Sequence, residues 1–226
     1  ESAVIYPTEP RKDYENSKDK VLQLAKKYGI RGVAIGNGTG SREAQEFFAR
    51  LNSEENANLS YTVVSEAGAS VYSASQLGQD EYPNLDVTIR GAISIAQRLR
   101  DPMAALVKID PKSLGIGQYQ HDVDQKLLHK RLDDVTSDLV NRVGVDLNSA
   151  SGSLLSHVAG IGIKIAKNII DFRDENGNFT SKNQLLKVKG LGKKVYEQAA
   201  GFIRIKHGIS PFDNTGIHPE SYEIAK

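Results

Sequence analysis

The chain has 226 residues, 39% of them hydrophobic and 25% charged, with a net charge of +1. This composition is typical of globular domains, and the length suits one or two of them. No apolar run approaches the ~18 residues of a membrane helix, and the N-terminus lacks the pattern of a signal peptide. The chain has no cysteine, which excludes disulfides and thiolate chemistry. We expect a cytoplasmic protein that does not contact membranes.

The first part of the chain alternates short strands with helices. We predict strands at residues 4–6, 32–35 and 61–64, and helices at residues 14–28 and from Ser41 onward, with Phe47, Phe48 and Leu51 on the buried side of the latter. Such alternation is typical of an α/β layer with parallel strands.

From about residue 86 the pattern predicts helices only. The first is expected to bury Ile89, Ala92, Ile93, Ala96 and Leu99, and Asp101-Pro102 interrupts it. A loop at residues 110–120 separates two predicted domains, residues 1–108 and 109–226. A long amphipathic helix then runs over residues 127–143 and ends at Gly144. The tail after Ser210 is rich in turn-forming residues and is expected to wrap the surface.

The clearest local signal is an internal repeat. Gly160-Ile161-Gly162 and Gly190-Leu191-Gly192 each follow a Leu-Leu pair and precede a lysine-bearing amphipathic helix, with an offset of thirty residues between the copies. The first glycine of each copy suits a positive φ that ends a helix, and the central apolar residue turns inward. The second glycine allows a phosphate to approach the backbone at the positive end of the next helix.

These hairpins therefore predict binding to the sugar-phosphate backbone without recognition of bases. The candidate residues are Gly160, Gly162, Lys164, Lys167, Gly190, Gly192, Lys193 and Lys194. Between residues 156 and 207 ten basic residues face four acidic ones, which favours a polyanionic partner. The alternatives are that the hairpins are helix-packing turns and that the lysines form a solvated surface. The second hairpin is the better phosphate binder, because two lysines follow it.

The paired Gly-apolar-Gly hairpins and the connector at residues 171–179 resemble the tandem helix-hairpin-helix family. Three further segments, at residues 65–70, 98–123 and 216–222, extend this resemblance to Tex-type transcription accessory proteins over essentially the whole chain. The resemblance implies a truncated α/β domain of the ribonuclease-H-like, YqgF type, followed by an all-α tandem helix-hairpin-helix domain with a wrapping tail. It also implies a longer protein, with an OB-fold domain and flanking regions as further partners beside RNA, DNA and the transcription machinery.

The ribonuclease-H-like resemblance raises the question of catalysis. By position, Glu66 and Asp101 correspond to later carboxylates of the two-Mg²⁺ site of such nucleases. The first carboxylate is expected to be absent, so we interpret Asp101 as a residue of a helix break and Glu66 as a helix cap. We predict a non-catalytic protein with no metal and no cofactor. The alternatives are a metal-dependent nuclease or Holliday-junction resolvase of the YqgF type and a protein-binding scaffold.

Two other patterns are weak. The sequence Gly36-Asn37-Gly38-Thr39-Gly40-Ser41 lacks the lysine of a P-loop and the spacing of a dinucleotide fingerprint, so a strand-to-helix turn explains it better than a phosphate site. The five histidines have no metal-ligand spacing, and His157 is expected to be packed.

Overall fold

The computed structural model describes all 226 residues, which form two compact units, Glu1–Ala105 and Leu106–Lys226. No helix is long and apolar enough to span a membrane. The domain ranges 1–108 and 109–226 stay a prediction about where an autonomous domain begins.

The first unit contains two parallel strands surrounded by helices. Its elements are, in chain order, α1 (Tyr14–Tyr28), β1 (Gly32–Gly36), α2 (Ser41–Glu55), β2 (Ser60–Val64), α3 (Ala69–Ala74), α4 (Gln76–Glu81), α5 (Val87–Arg100) and α6 (Pro102–Leu106). Strands β1 and β2 pair in parallel, with Ile35 opposite Val63. Phe47, Phe48 and Leu51 of α2 are buried in one cluster with Ile35 and Leu59, which confirms the predicted inner side of this helix.

The predicted strand at residues 4–6 is wrong. These residues have no strand pairing, and Val4 is 62% exposed. The amide of Tyr6 instead donates a hydrogen bond to Ser17 Oγ in α1 (3.1 Å). An apolar triplet before a proline is therefore held here by a helix side chain and not by a neighbouring strand.

Helix α5 buries a different face from the predicted one. Leu99 is 44% exposed, whereas Arg90, Ser94 and Arg98 are buried at successive helical turns. Nη1 of Arg90 donates to Ser73 O (2.9 Å) and Nη1 of Arg98 donates to Ser65 O (2.6 Å). Main-chain carbonyls of the adjacent segments need donors, and long guanidinium side chains can supply them from inside.

The second unit is helical apart from one short strand pair. Its α-helices and strands are α7 (Gln125–Val143), β3 (Val145–Asp146), α8 (Gly152–Leu155), α9 (Ile163–Asn176), α10 (Lys193–Ala199), β4 (Ile203–Arg204) and α11 (Tyr222–Ala225), with 3₁₀ turns at Pro111–Leu114, Lys182–Lys187, Pro211–Asn214 and Pro219–Ser221. Strands β3 and β4 are parallel and only two residues long, so the expected all-α domain contains one small sheet.

Helix α7 ends at the predicted residue, Val143, and begins two residues earlier than predicted, at Gln125, but much of its apolar surface faces solvent. Val140 is buried, whereas Leu127, Val135, Leu139 and Val143 are each at least half exposed. The apolar residues of α7 therefore extend over more of the helix surface than the rest of the second unit covers.

The C-terminal tail closes over a buried lysine. Lys182 is 1% exposed, and its Nζ donates to the carbonyls of Thr215 (3.0 Å) and Ile217 (3.2 Å). Asp213 is also buried and accepts hydrogen bonds from Tyr222 Oη (2.8 Å) and the amide of Ser210 (3.3 Å). The tail is thus bonded into the second unit and does not merely lie on its surface.

Candidate nucleic-acid interface

The two hairpins of the repeat have the same backbone geometry. Gly160 and Gly190 have φ values of +83° and +80°, a region that only glycine enters without strain. Gly162 and Gly192 are the N-caps of α9 and α10, with φ and ψ of −83° and 170° in the first and −83° and 171° in the second. The offset of thirty residues seen in the sequence is therefore a true structural equivalence.

The central apolar residue closes each hairpin from inside. Ile161 is 2% exposed and Leu191 is 4% exposed. The amide of Ile161 donates to Val158 O (2.9 Å), and the amide of Leu191 donates to Val188 O (3.1 Å). The inward position predicted for both residues is present, and the flanking glycines are left on the exposed side.

The leucine pairs, in contrast, do not correspond to each other. The thirty-residue offset aligns Leu155 with Leu185, which are both fully buried. Leu186 is 46% exposed and has Ser156 as its equivalent. The shared Leu-Leu pattern was thus one residue out of register, and only one leucine of each pair fills the equivalent core position.

The hairpins are packed against each other's helices in a reciprocal way. Asn168 of α9 donates from Nδ2 to the carbonyl of Lys189 in the second hairpin (2.7 Å). Gln198 is its equivalent in α10 and lies against the first hairpin, where a β-carbon at Gly160 would be 2.9 Å from Gln198 Oε1. Each hairpin therefore lies against the helix that follows the other hairpin. Our sequence reasoning missed this pair, although the offset of the repeat aligns the two amide side chains.

Helix α7 adds a second support to the first hairpin. Asn141 donates from Nδ2 to His157 O (3.0 Å) and accepts from the amide of Ala159 at Oδ1 (3.0 Å). His157 itself bonds Ser137 Oγ through Nδ1 (3.1 Å), in agreement with the packed role expected for it. The first hairpin is thus held on two sides by amide side chains.

Each hairpin leaves the amides of a helix start without a partner inside the helix. The first intrahelical bond is from Ala166 to Gly162 O (2.9 Å) in α9 and from Tyr196 to Gly192 O (3.0 Å) in α10. Residues 163–165 and 193–195 therefore point free N–H groups outward, as the first turn of any helix does. A β-carbon at Gly162 or Gly192 would meet nothing within 4 Å, so the approach to these amides is open.

The predicted lysines surround these helix starts. Lys164, Lys167, Lys193 and Lys194 are all exposed, and the side chain of Lys193 is 86% exposed with its Nζ 3.9 Å from Glu197. Their charge is available to an incoming anion.

Three of the ten basic residues counted in this region have other roles. Nη1 of Arg173 donates to the carbonyls of Leu147, Asn148 and Ala150 at 3.0–3.3 Å. Lys182 is buried under the tail, and Arg204 donates to Gly201 O (2.8 Å) and Ile203 O (2.9 Å). Burial lowers the pKa of both Lys182 and Arg204. The cationic surface is consequently smaller than the sequence count suggests.

The two acidic candidates of the first unit both lie at turns between its elements. Asp101 lies at the break between α5 and α6, as predicted. Its Oδ1 also accepts from the amide of Ala104 (3.0 Å) and so caps the start of α6, a role that was predicted for Glu66 and not for Asp101. Glu66 does not cap α3 with its side chain. Its carboxylate lies over Gly38, where a β-carbon would collide with it, and a β-carbon at Gly36 would be 2.8 Å from its Oε2. The chain has no group of three or more histidine, aspartate or glutamate residues placed to hold a metal ion.

The glycine-rich loop after β1 forms a strand-to-helix turn. The amide of Asn37 donates to Val64 O (3.0 Å), and its Oδ1 accepts from the amide of Glu66 (3.0 Å). Gly40 then enters α2 with φ of +82°. The loop joins the ends of the two parallel strands, and this accounts for its sequence.

Comparison with known proteins places both units in described families. Residues 1–100 match the model of the Tex protein YqgF-like domain, and residues 140–204 match that of the helix-hairpin-helix motif. The Tex protein of Bordetella pertussis is 50% identical over 227 residues, which is 100% of this chain and 29% of the relative. The transcriptional accessory protein Tex of Neisseria gonorrhoeae is 54% identical over 89% of this chain and 27% of its own length. The human S1 RNA-binding domain-containing protein 1 is 50% identical over 92% of this chain and 26% of its own length.

The chain thus spans less than a third of the length of these relatives. Within that span, the order of a YqgF-like domain and then helix-hairpin-helix motifs agrees with the α/β first unit and the paired hairpins of the second. On this agreement of sequence, domain order and fold, the chain belongs to the Tex family.

Proposed function

We propose that this chain binds nucleic acid independently of sequence, through phosphate contacts made by both helix-hairpin-helix motifs. The observation that carries this proposal is the pair of open helix starts, one at Gly162 and one at Gly192, with matching backbone angles and exposed lysines beside them. Free amides at the positive end of a helix attract anions, and neighbouring ammonium groups strengthen the attraction.

Such contacts do not distinguish one base from another, because they reach phosphate oxygens only. The proposed partner is therefore the backbone of RNA or DNA. Gly160 and Gly190 shape the hairpins, Gly162 and Gly192 admit the phosphate, and Lys164, Lys167, Lys193 and Lys194 supply charge. The name of the Neisseria gonorrhoeae relative describes a transcriptional accessory protein, and we extend this role, in the cytoplasm and beside the transcription machinery, to the protein that contains this chain.

We further propose that the YqgF-like unit is not catalytic and that its nuclease-type site is degenerate. The Asp101 carboxylate caps a helix, and the Glu66 carboxylate lies over the backbone of Gly36 and Gly38, so both positions are explained without a metal site. The test is Mg²⁺-dependent cleavage of branched and single-stranded nucleic acid, with Glu66→Gln as the control. Cleavage by the wild-type chain that disappears in the Glu66→Gln variant would overturn this part of the proposal.

The binding proposal is tested by charge reversal at the second hairpin. Lys193→Glu with Lys194→Glu is compared with Lys126→Glu with Lys130→Glu, a matched pair of exposed lysines on α7. Affinity is measured for single- and double-stranded RNA and DNA at two salt concentrations. We expect the hairpin variant to lose affinity and to have a shallower salt dependence, since each phosphate contact contributes a slope of about 0.9 with duplex DNA and about 0.7 with single strands. Equal losses in the two variants would show only a general charge effect and would refute the assignment.

A second variant separates binding from folding. Gly192 has an ordinary negative φ and open space at its α-carbon, so Gly192→Ala is expected to fold normally. The added methyl group would stand where the phosphate approaches, so affinity should fall. Gly117→Ala, which also meets nothing within 4 Å, is the control. Unchanged affinity in Gly192→Ala would contradict the proposed site.

A further inference from the structure

The two hairpins differ at the first residue of the helix that follows. Ile163 begins α9 and Lys193 begins α10, and the thirty-residue equivalence places them at the same point of the two motifs. Ile163 is 83% exposed. One open helix start therefore presents a cation first, and the other presents a branched apolar side chain.

The side chain of Ile163 does not contribute to the core of the second unit. Ile161 already fills the interior of the first hairpin, and α9 buries Ala166 and Ile169 on its inner side. Water around an exposed isoleucine is released when a ligand covers it, which is favourable in proportion to the area covered. Ile163 thus has the properties of a contact residue, next to free amides and the exposed Lys164.

The ligand must suit both an apolar and an anion-binding surface at one point. A sugar-phosphate chain does so, because each charged phosphate is joined to a sugar ring whose carbon face is weakly polar. Ile163 carries one of the free amides of this helix start, so its side chain would lie close to a phosphate held by that amide.

We propose that Ile163 packs against the sugar ring next to the phosphate held by the first hairpin. This inference rests on the proposed function and adds a division of roles to it. The second hairpin holds the backbone with amides and two ammonium groups, whereas the first combines amides and Lys164 with an apolar contact. A sugar contact reads no base, so binding stays independent of sequence.

The first test is Ile163→Ala in the full chain. Alanine is the best helix former, so the start of α9 should be preserved. We expect affinity for a short duplex to fall about tenfold, as partial burial of an isoleucine side chain implies. The slope of affinity against salt should stay the same, because no charge is removed. Ile209→Ala is the matched control, since Ile209 is 81% exposed and lies outside both hairpins.

The second test locates the contact directly. With ¹³C-labelled isoleucine methyl groups, we expect intermolecular NOEs between the δ1 methyl of Ile163 and sugar protons of bound DNA or RNA. NOEs to base protons alone, or full affinity in Ile163→Ala while charge reversal at Lys193 and Lys194 weakens binding, would overturn the sugar contact and leave the proposed function intact. A wild-type chain that binds no nucleic acid at low salt would overturn both.

Discussion

We predict that the stability of the second unit depends on pH through Lys182. Its Nζ is enclosed by the tail and donates to the carbonyls of Thr215 and Ile217. Burial is the main cause that lowers its pKa from 10.5 to about 8, the nearby Arg204 lowers it further, and Asp213 acts in the opposite direction. The charged form of Lys182 is therefore less favourable in the folded protein than in the unfolded chain.

The sign of the effect follows from which state holds the proton. Below about pH 8 both states are protonated, and the full cost of burying the charge is present. Between about pH 8 and the ordinary pKa of 10.5, the unfolded chain binds more protons than the folded one, so stability rises with pH. Each pKa unit corresponds to about 1.4 kcal/mol, which gives a total on the order of 3 kcal/mol for this residue. Tyr196 and Tyr222 have raised pKa values and act in the opposite direction above about pH 10.

The assay is urea denaturation followed by far-ultraviolet circular dichroism, with the wild type and Lys182→Met compared at several pH values from about 7 to 10. Methionine has a similar length and does not titrate, so the other groups cancel in the difference between the two proteins. We expect the free energy of unfolding of the wild type to rise by about 2 kcal/mol relative to the variant between pH 8 and pH 10. A difference that stays constant over this interval would refute the reasoning.

Three further predictions concern the second unit. Asn148→Ala should lower its stability by about 2 kcal/mol in thermal or urea unfolding, because the side-chain amide bonds both the N–H and the carbonyl of Phe179 (2.8 and 2.9 Å). Gly190→Ala should destabilise it by about 1–2 kcal/mol because of its positive φ, whereas Gly192→Ala should leave stability unchanged. Residues 109–226 expressed alone should be helical by circular dichroism and unfold in one cooperative transition.

Each of these predictions has a result that would contradict it. Asn176→Ala removes an exposed amide that bonds only within its own helix. If this variant lost as much stability as Asn148→Ala, the bonds between Asn148 and Phe179 would not explain the loss. Equal stabilities of the alanine variants at Gly190 and Gly192 would show that the backbone angles do not separate the two glycines. A non-cooperative or unfolded fragment would contradict the predicted domain range.

The repeat was the most predictable part of the molecule. Glycine is the residue that adopts a positive φ without strain, so a glycine after a helix indicates where the chain turns. Two Gly-apolar-Gly triplets with one offset determined the hairpins, the buried central residues and the exposed helix starts. The parallel strands β1 and β2, helix α1 before them and helix α2 between them were also predictable, since short apolar strands and amphipathic helices have distinct periodicities.

Polar residues inside the protein were not predictable in the same way. Arg90, Arg98, Arg173 and Lys182 each donate to main-chain carbonyls of residues distant in sequence, and the position of those carbonyls depends on the completed fold. A count of charges assigns such residues to the surface. The predicted inner face of α5 was wrong for the same reason, because the side chains of Arg90 and Arg98 are buried where an apolar face was expected.

The packing of Asn168 and Gln198, each against the hairpin of the other copy, has a consequence for affinity. It fixes the spacing between the two hairpins before any ligand binds. If both hairpins hold phosphates as proposed, the second would engage at a high effective concentration once the first is occupied. Under the proposed function the two hairpins would then bind as one bivalent site. We expect nucleic acids whose phosphates match the spacing of the two helix starts to dissociate most slowly.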